Sequence, residues 1–189
     1  MIDQRSMNFI PTELPGVTII EPRVLEDARG FFMETFQNDR FREAGLPTAF
    51  VQDCHSRSAA GTLRGLHYQI EHPQGKLVRC IAGEVFDVAV DLRLDSPTLG
   101  RWIAVELSDR NRRQVYLPPG VAHGFCTVSQ AAEVVYKCTD RYYPQYERTI
   151  AWNDPELAIA WPVTNPLLSE KDRRGLSFAA ADKFSSGSI

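Results

Sequence analysis

The 189-residue chain is 43% hydrophobic and 24% charged, enough to close the core of one domain and too apolar for a disordered segment. Its formal net charge is −3, with lysines and arginines interspersed among the acids, so no basic stripe offers a surface to nucleic acid. No apolar run approaches the length of a membrane-spanning helix, so no membrane partner is expected.

The opening MIDQRSMNFIPTELPGVTII lacks a basic start followed by a long apolar stretch, and a cytoplasmic location is the expectation. The segment GVTIIEPRVLEDARGFFMETF is too apolar to lie free on a surface, and a second copy of the chain is expected to bury it. NDRFREAGLP reads as a short helix, with Asn at its start and Gly-Leu-Pro as its stop. EVFDVAVDLRL places Phe86, Val88, Val90 and Leu92 on one face and Asp87, Asp91 and Arg93 on the other, a two-sided strand. RWIAVELS alternates in the same way through Ile103, Val105 and Leu107, and RQVYLPPG and AEVVYKCTDRYY add β-branched and aromatic runs bounded by turn residues. LSEKDRRGLS has the Ser-x-x-Asp start of a second short helix. The closing KFSSGSI is polar and rich in Ser and Gly, so a flexible tail is expected over residues 181–189.

Strands that recur about every dozen residues predict an all-β, antiparallel sandwich or barrel, with helices short and peripheral, in a single domain over residues 1–189. Cys54, Cys80, Cys126 and Cys138 form no C-x-x-C pair and are expected to be reduced and mostly buried.

Two single histidines sit among turn residues, in GTLRGLHYQ (61–69) and PPGVAHGF (118–125), where a rigid sheet can present side chains to a shared cavity. Both segments resemble motifs of the metal-binding cupins, which are jelly-roll barrels. Gly61 and His67 keep the spacing of the first motif, and Pro118, Gly120 and His123 keep the second. The other two ligand positions are lost, since Gln69 stands where a second His belongs and Pro73 or Gln74 where a Glu belongs. A first-row metal site normally needs three or four protein ligands. A metal-free barrel is therefore expected, with the histidines released for acid-base work.

The blocks QDCHSRSAAGTLRGLHYQ, QGKLVRCIAGEVFDVAVDLRLDSPTLGRW, PPGVAHGF, YKCTDRYYPQYE and LSEKD resemble, in order over roughly residues 17 to 175, the dTDP-4-dehydrorhamnose 3,5-epimerases. The resemblance implies a homodimeric antiparallel jelly roll, cupin-like, that acts without metal or organic cofactor on a dTDP-4-keto-6-deoxy sugar. It assigns His67 as the base, Asp172 as its partner carboxylate, Tyr136 as the proton donor across the sugar ring and Lys76 as the stabiliser of enolate oxygen, with His123 lining the site. It places substrate binding at Arg29, Glu34, Gln52, Asp53, Cys54, Arg64, Lys76, His123, Glu147 and Lys171. No P-loop or G-x-G-x-x-G is present to cradle a diphosphate, so arginine must serve, and Arg64 suits bidentate phosphate contact. Aromatic residues of RGFFME and DRYYPQY are candidates to stack on thymine.

Read without that resemblance, the same residues have plainer meanings: a structural histidine at 67 or 123, a packing tyrosine at 136, a solvated turn lysine at 76. His55 and His72 match no catalytic position. The family usually carries Asn where this chain has Cys54, and a thiol is a weak hydrogen-bonding group, so a substrate contact is in question there. Other readings stay open at this level: an epimerase of C3 or C5 alone, a metal-dependent cupin, or a sugar-binding module without catalysis.

Overall fold

The computed structural model describes residues 7–185 and residue 187. The chain runs through β1 (Asn8–Pro11), β2 (Thr18–Glu21), β3 (Val24–Asp27), β4 (Gly30–Met33), α1 (Asn38–Glu43) and β5 (Gln52–Ala59). It continues through β6 (Leu63–Gln69), β7 (Lys76–Ala82), β8 (Glu84–Asp91), β9 (Trp102–Ser108), β10 (Gln114–Leu117) and β11 (Val121–Thr127). It closes with β12 (Ala131–Cys138), β13 (Glu147–Thr149) and α2 (Glu170–Arg173). One sheet has the order β1-β2-β10-β7-β12-β5, the other β13-β6-β11-β8-β9, and β3 with β4 forms a separate hairpin. The ladders within both sheets are antiparallel. The architecture is the all-β antiparallel sandwich that the strand spacing predicts, in the cupin-like jelly-roll form that the family resemblance implies.

The sheets close on each other through side chains spaced two apart along each strand, the period of a pleated sheet. Val78, Cys80 and Val134 from the first sheet meet Val85, Ala89, Val105 and Phe125 from the second. A second apolar layer lies on the outer face of the second sheet, where Val88 and Val90 pack with Leu66, Tyr68, Ile150, Phe178 and Phe184. This layer decides the sense of β8. Its alternation is real, but the apolar face points outward beneath the C-terminal segment, and the acidic face is also buried, with Asp87 and Asp91 at 2% and 0% exposure. Burial opposes the charge of Asp91, yet hydrogen bonds from Arg93, Ser96 and Thr98 outweigh it and hold its carboxyl down at about 2.

Part of the expected C-terminal tail is corrected by the same layer. Phe184 is fully buried, its ring meets Tyr68 edge-on at 5.8 Å, and its N–H donates to the Leu92 carbonyl at 3.0 Å. The aromatic side chain overrides the polar composition around it, and residues 181–185 are anchored. The rest of that expectation falls on residues 186, 188 and 189, outside the described residues. Both short helices form where predicted. The start of α1 is capped by Gln37, whose Oε1 accepts the Arg40 N–H at 2.7 Å, and Phe41 anchors its buried side.

Candidate active site

A cavity of about 570 Å³ opens between the two sheets. The first sheet contributes Gln52, Cys54 and Ser56 from β5, Lys76 from β7, and Tyr136 and Cys138 from β12. The second contributes Arg64 and His67 from β6, His123 and Phe125 from β11, and Glu147 from β13, with Ser169, Lys171 and Asp172 from the α2 end. His67 and Tyr136 therefore face one space from opposite walls.

The histidine wall depends on a close approach of β6 and β11. His67 and His123 are cross-strand partners, and the register shifts immediately beyond them. At Gly65, with φ of +139°, an added Cβ would lie 2.5 Å from the Gly124 Cα, so only glycine lets the two backbones meet. The Gly65 N–H points at Asp172 Oδ1, at 3.4 Å. His67 Nε2 lies 2.5 Å from that same oxygen, while Asp172 Oδ2 accepts from the Ser169 hydroxyl at 2.6 Å. Ser169 is the N-cap of α2 and also accepts the Asp172 N–H, so the capping motif read in LSEKD fixes the carboxylate that orients the imidazole. Donation from Nε2–H to Asp172 leaves the Nδ1 lone pair free to take a proton.

Burial outweighs the partner carboxylate in setting the protonation of His67. Burial pushes its pKa below the usual 6.5; Asp172 opposes this, and the Lys171 and Lys76 charges add to the lowering. A neutral imidazole, the form that accepts a proton, is favoured. His123 has its own carboxylate, with Nε2 2.8 Å from Asp87 Oδ2.

On the facing wall, burial raises the pKa of Tyr136, and the Cys54 side chain across the ladder raises it further, so the phenol stays protonated. Burial lowers the pKa of Lys76, while Cys138, Glu147 and Asp87 pull it back up. Among the described residues the Lys76 ammonium makes no side-chain hydrogen bond or ion pair, so its donors stay available in a poorly screened space. Arg64 lies at the edge, with Nε donating to Ser58 Oγ at 3.0 Å. Lys171 pairs with Glu147 at 2.7 Å, and the Tyr142 hydroxyl donates to the other Glu147 oxygen at 2.8 Å.

Three residues singled out for binding lie elsewhere. Arg29 sits in the exposed turn of the β3–β4 hairpin, held by Asp27, and Glu34 follows that hairpin and pairs with Arg40. Asp53 points to the opposite face of its sheet from Gln52 and Cys54, where it pairs with Lys137 and lines a separate cavity of about 310 Å³. Alternation along β5 makes this unavoidable for consecutive residues. Of the aromatic candidates, Tyr142 lines the cavity, Tyr143 stacks on His72, and Phe31 lies under the Arg112 guanidinium. His55 pairs with Glu133.

Gln69, at the lost ligand position, is buried. Its amide donates to the His72 and Arg141 carbonyls and accepts from the Tyr143 N–H, tying two loops together. Among the described residues no group of three or more His, Cys, Asp or Glu side chains is placed to hold a metal ion. Sequence reasoning does not find Asp87 or Ser169 as parts of the site. The acid alternating on β8 was a signal for the first, and the Ser-x-x-Asp cap for the second.

A family model described as dTDP-4-dehydrorhamnose 3,5-epimerase matches residues 11–180. A protein of Shigella flexneri named dTDP-4-dehydrorhamnose 3,5-epimerase is 57% identical over 180 residues, covering 94% of this chain and 99% of that one. One of the same name from Pseudomonas aeruginosa is 59% identical over 173 residues, covering 90% and 96%. The crystal structure of dTDP-6-deoxy-D-glucose-3,5-epimerase from Legionella pneumophila, in complex with dTDP-4-keto-L-rhamnose, superposes with a TM-score of 0.90 at 51% identity, covering 94% of this chain and 95% of that one.

Proposed function

Since the chain belongs to the dTDP-4-dehydrorhamnose 3,5-epimerase family, we propose that it inverts C3 and C5 of dTDP-4-dehydro-6-deoxy-D-glucose to give dTDP-4-dehydro-L-rhamnose. Both carbons are α to the C4 ketone, so each proton can leave to form an enolate and no redox step is needed. Inversion then requires a base on one face of the sugar, an acid on the other, and positive charge beside the ketone oxygen. The observation that carries the reading is the placing of His67 and Tyr136 on opposite walls of one cavity.

In this reading His67 takes the proton, and Asp172 holds its tautomer and stabilises the imidazolium that forms. Tyr136 delivers a proton to the opposite face. Lys76 stabilises the enolate oxygen, and its unpartnered ammonium supports that role. Arg64 and Lys171 supply positive charge for the diphosphate, with Gln52, Cys54, His123 and Glu147 in contact range of a bound nucleotide sugar. In this reading the enolate is stabilised by the Lys76 ammonium rather than by a metal ion. In heavy water, NMR of the product should show deuterium at both C3 and C5, at a rate unchanged by EDTA. Exchange at a single carbon would replace the reading with a one-centre epimerase, and loss of turnover restored by a divalent ion would revive a metal mechanism.

The working form is a homodimer in this proposal. Leu25, Phe31 and Phe32 are 48%, 56% and 69% exposed on a hairpin that pairs with neither main sheet, and a lone two-stranded hairpin is marginal in water. A partner that buries the hairpin would also receive Arg29 and Glu34, which this chain's own cavity does not use. Light scattering at micromolar concentration should give twice the chain mass; a monomer there refutes the dimer. We assign the cytoplasm as its location, supported by four cysteines that are all free thiols.

A further inference from the structure

Cys54 on β5 stands directly opposite Tyr136 on β12, and both line the cavity. The Cys54 sulfur accepts a hydrogen bond from Gln52 Nε2 at 3.1 Å, and the Cys54 side chain lies close enough to Tyr136 across the ladder to raise the phenol's pKa. Gln52 is held in turn, because its Oε1 accepts the Tyr142 N–H at 2.9 Å. Hydrogen bonds thus run from the cavity rim at Tyr142 through Gln52 to the Cys54 sulfur, which stands beside Tyr136 on the neighbouring strand.

We propose that Cys54 is a positioning residue for Tyr136: its sulfur, fixed by the Gln52 amide, receives the Tyr136 hydroxyl and sets the direction from which the phenol delivers its proton. The proposal rests on Tyr136 being the proton donor.

Two properties of the thiol suit it to this place. Sulfur is a weak acceptor, so it orients the O–H at little cost when that hydrogen must leave for the sugar carbon. It also brings no N–H donor that would stabilise a phenolate, so the hydroxyl keeps its proton until the carbanion forms. The Tyr136 pKa, raised first by burial and then by Cys54, is consistent with this. Cys138, two residues along β12 from Tyr136 and lining the same cavity, has its thiol pushed up to about 11 by burial and stays neutral.

The test follows deuterium in heavy water for the full-length protein and its variants, comparing wash-in to recovered substrate with product formation. Cys54→Ala should lower kcat for inversion about five-fold, the effect of one ordinary hydrogen bond, with KM little changed and the ratio of wash-in to inversion raised. Cys54→Ser, which restores an acceptor, should return most of the rate and the ratio. In a Tyr136→Phe background, Cys54→Ala should have no further effect on the ratio, because the two residues act as a unit. A change in KM alone, or an equal effect of Cys54→Ala with and without the phenol, overturns the positioning role while leaving Tyr136 as donor. An unchanged ratio in Tyr136→Phe itself overturns the donor and the positioning role together.

Discussion

His67→Ala should lose both product formation and deuterium exchange at C3 and C5, because it removes the proposed base. The imidazole is oriented by Asp172, a carboxylate fixed by Ser169 and Gly65, and its other ring nitrogen is the proposed base. Loss of a general base typically costs about 10²- to 10⁴-fold, and NMR in heavy water reads exchange and turnover in one sample. The pH dependence carries the same assignment. Since burial draws the His67 pKa below 6.5, with Asp172 only partly opposing it, the neutral base persists to lower pH than a free imidazole would allow. Wild-type exchange should therefore stay level on descending through pH 6.5 and fall only below it. A fall centred above 6.5, or exchange retained in His67→Ala, would remove His67 from the role of base.

Tyr136→Phe should fail differently. It deletes only the hydroxyl on the far wall, so His67 still takes a proton and returns one from solvent to the near face. Deuterium then enters recovered, uninverted substrate faster than product accumulates, and inversion falls by the loss of general-acid assistance, about 10²-fold or more. The contrast between the variants is more informative than either rate, because a nonspecific loss of packing would depress exchange and inversion together. If Tyr136→Phe inverts both centres at the unmodified rate, Tyr136 is a packing residue and the donor lies elsewhere.

The division between legible and hidden parts of the site follows from the range over which each signal acts. His67 and His123 stand out because the glycines around them have a local purpose, and Gly65 shows it by admitting the Gly124 backbone where no Cβ would fit. Asp172 is legible through a cap written in four consecutive residues, Ser169 to Asp172. Asp87 is not, because alternation tells that a strand has two faces and not which one meets the interior. Asp53 sits between the cavity residues Gln52 and Cys54, yet alternation along the strand sends it to the opposite face, whereas Arg29 and Glu34 lie on and just after a hairpin that pairs with neither main sheet.

The sequence by itself determined the class of the protein. Period-two alternation, the density of turn residues and the ordered family blocks are local properties, and together they specify an antiparallel jelly roll and its two short helices. Tertiary structure alone decided which side of each strand became the site, because that depends on what covers the other side. The C-terminal segment, through Phe178 and Phe184, takes the apolar face of β8 and so leaves Asp87 facing His123 in the interior. Pairing of β5 with β12 likewise sets Cys54 against Tyr136, a contact between residues far apart in the chain. Burial then fixes the charge states, lowering His67 and Lys76 and raising Tyr136, since desolvation is a property of the closed cavity and not of any residue within it.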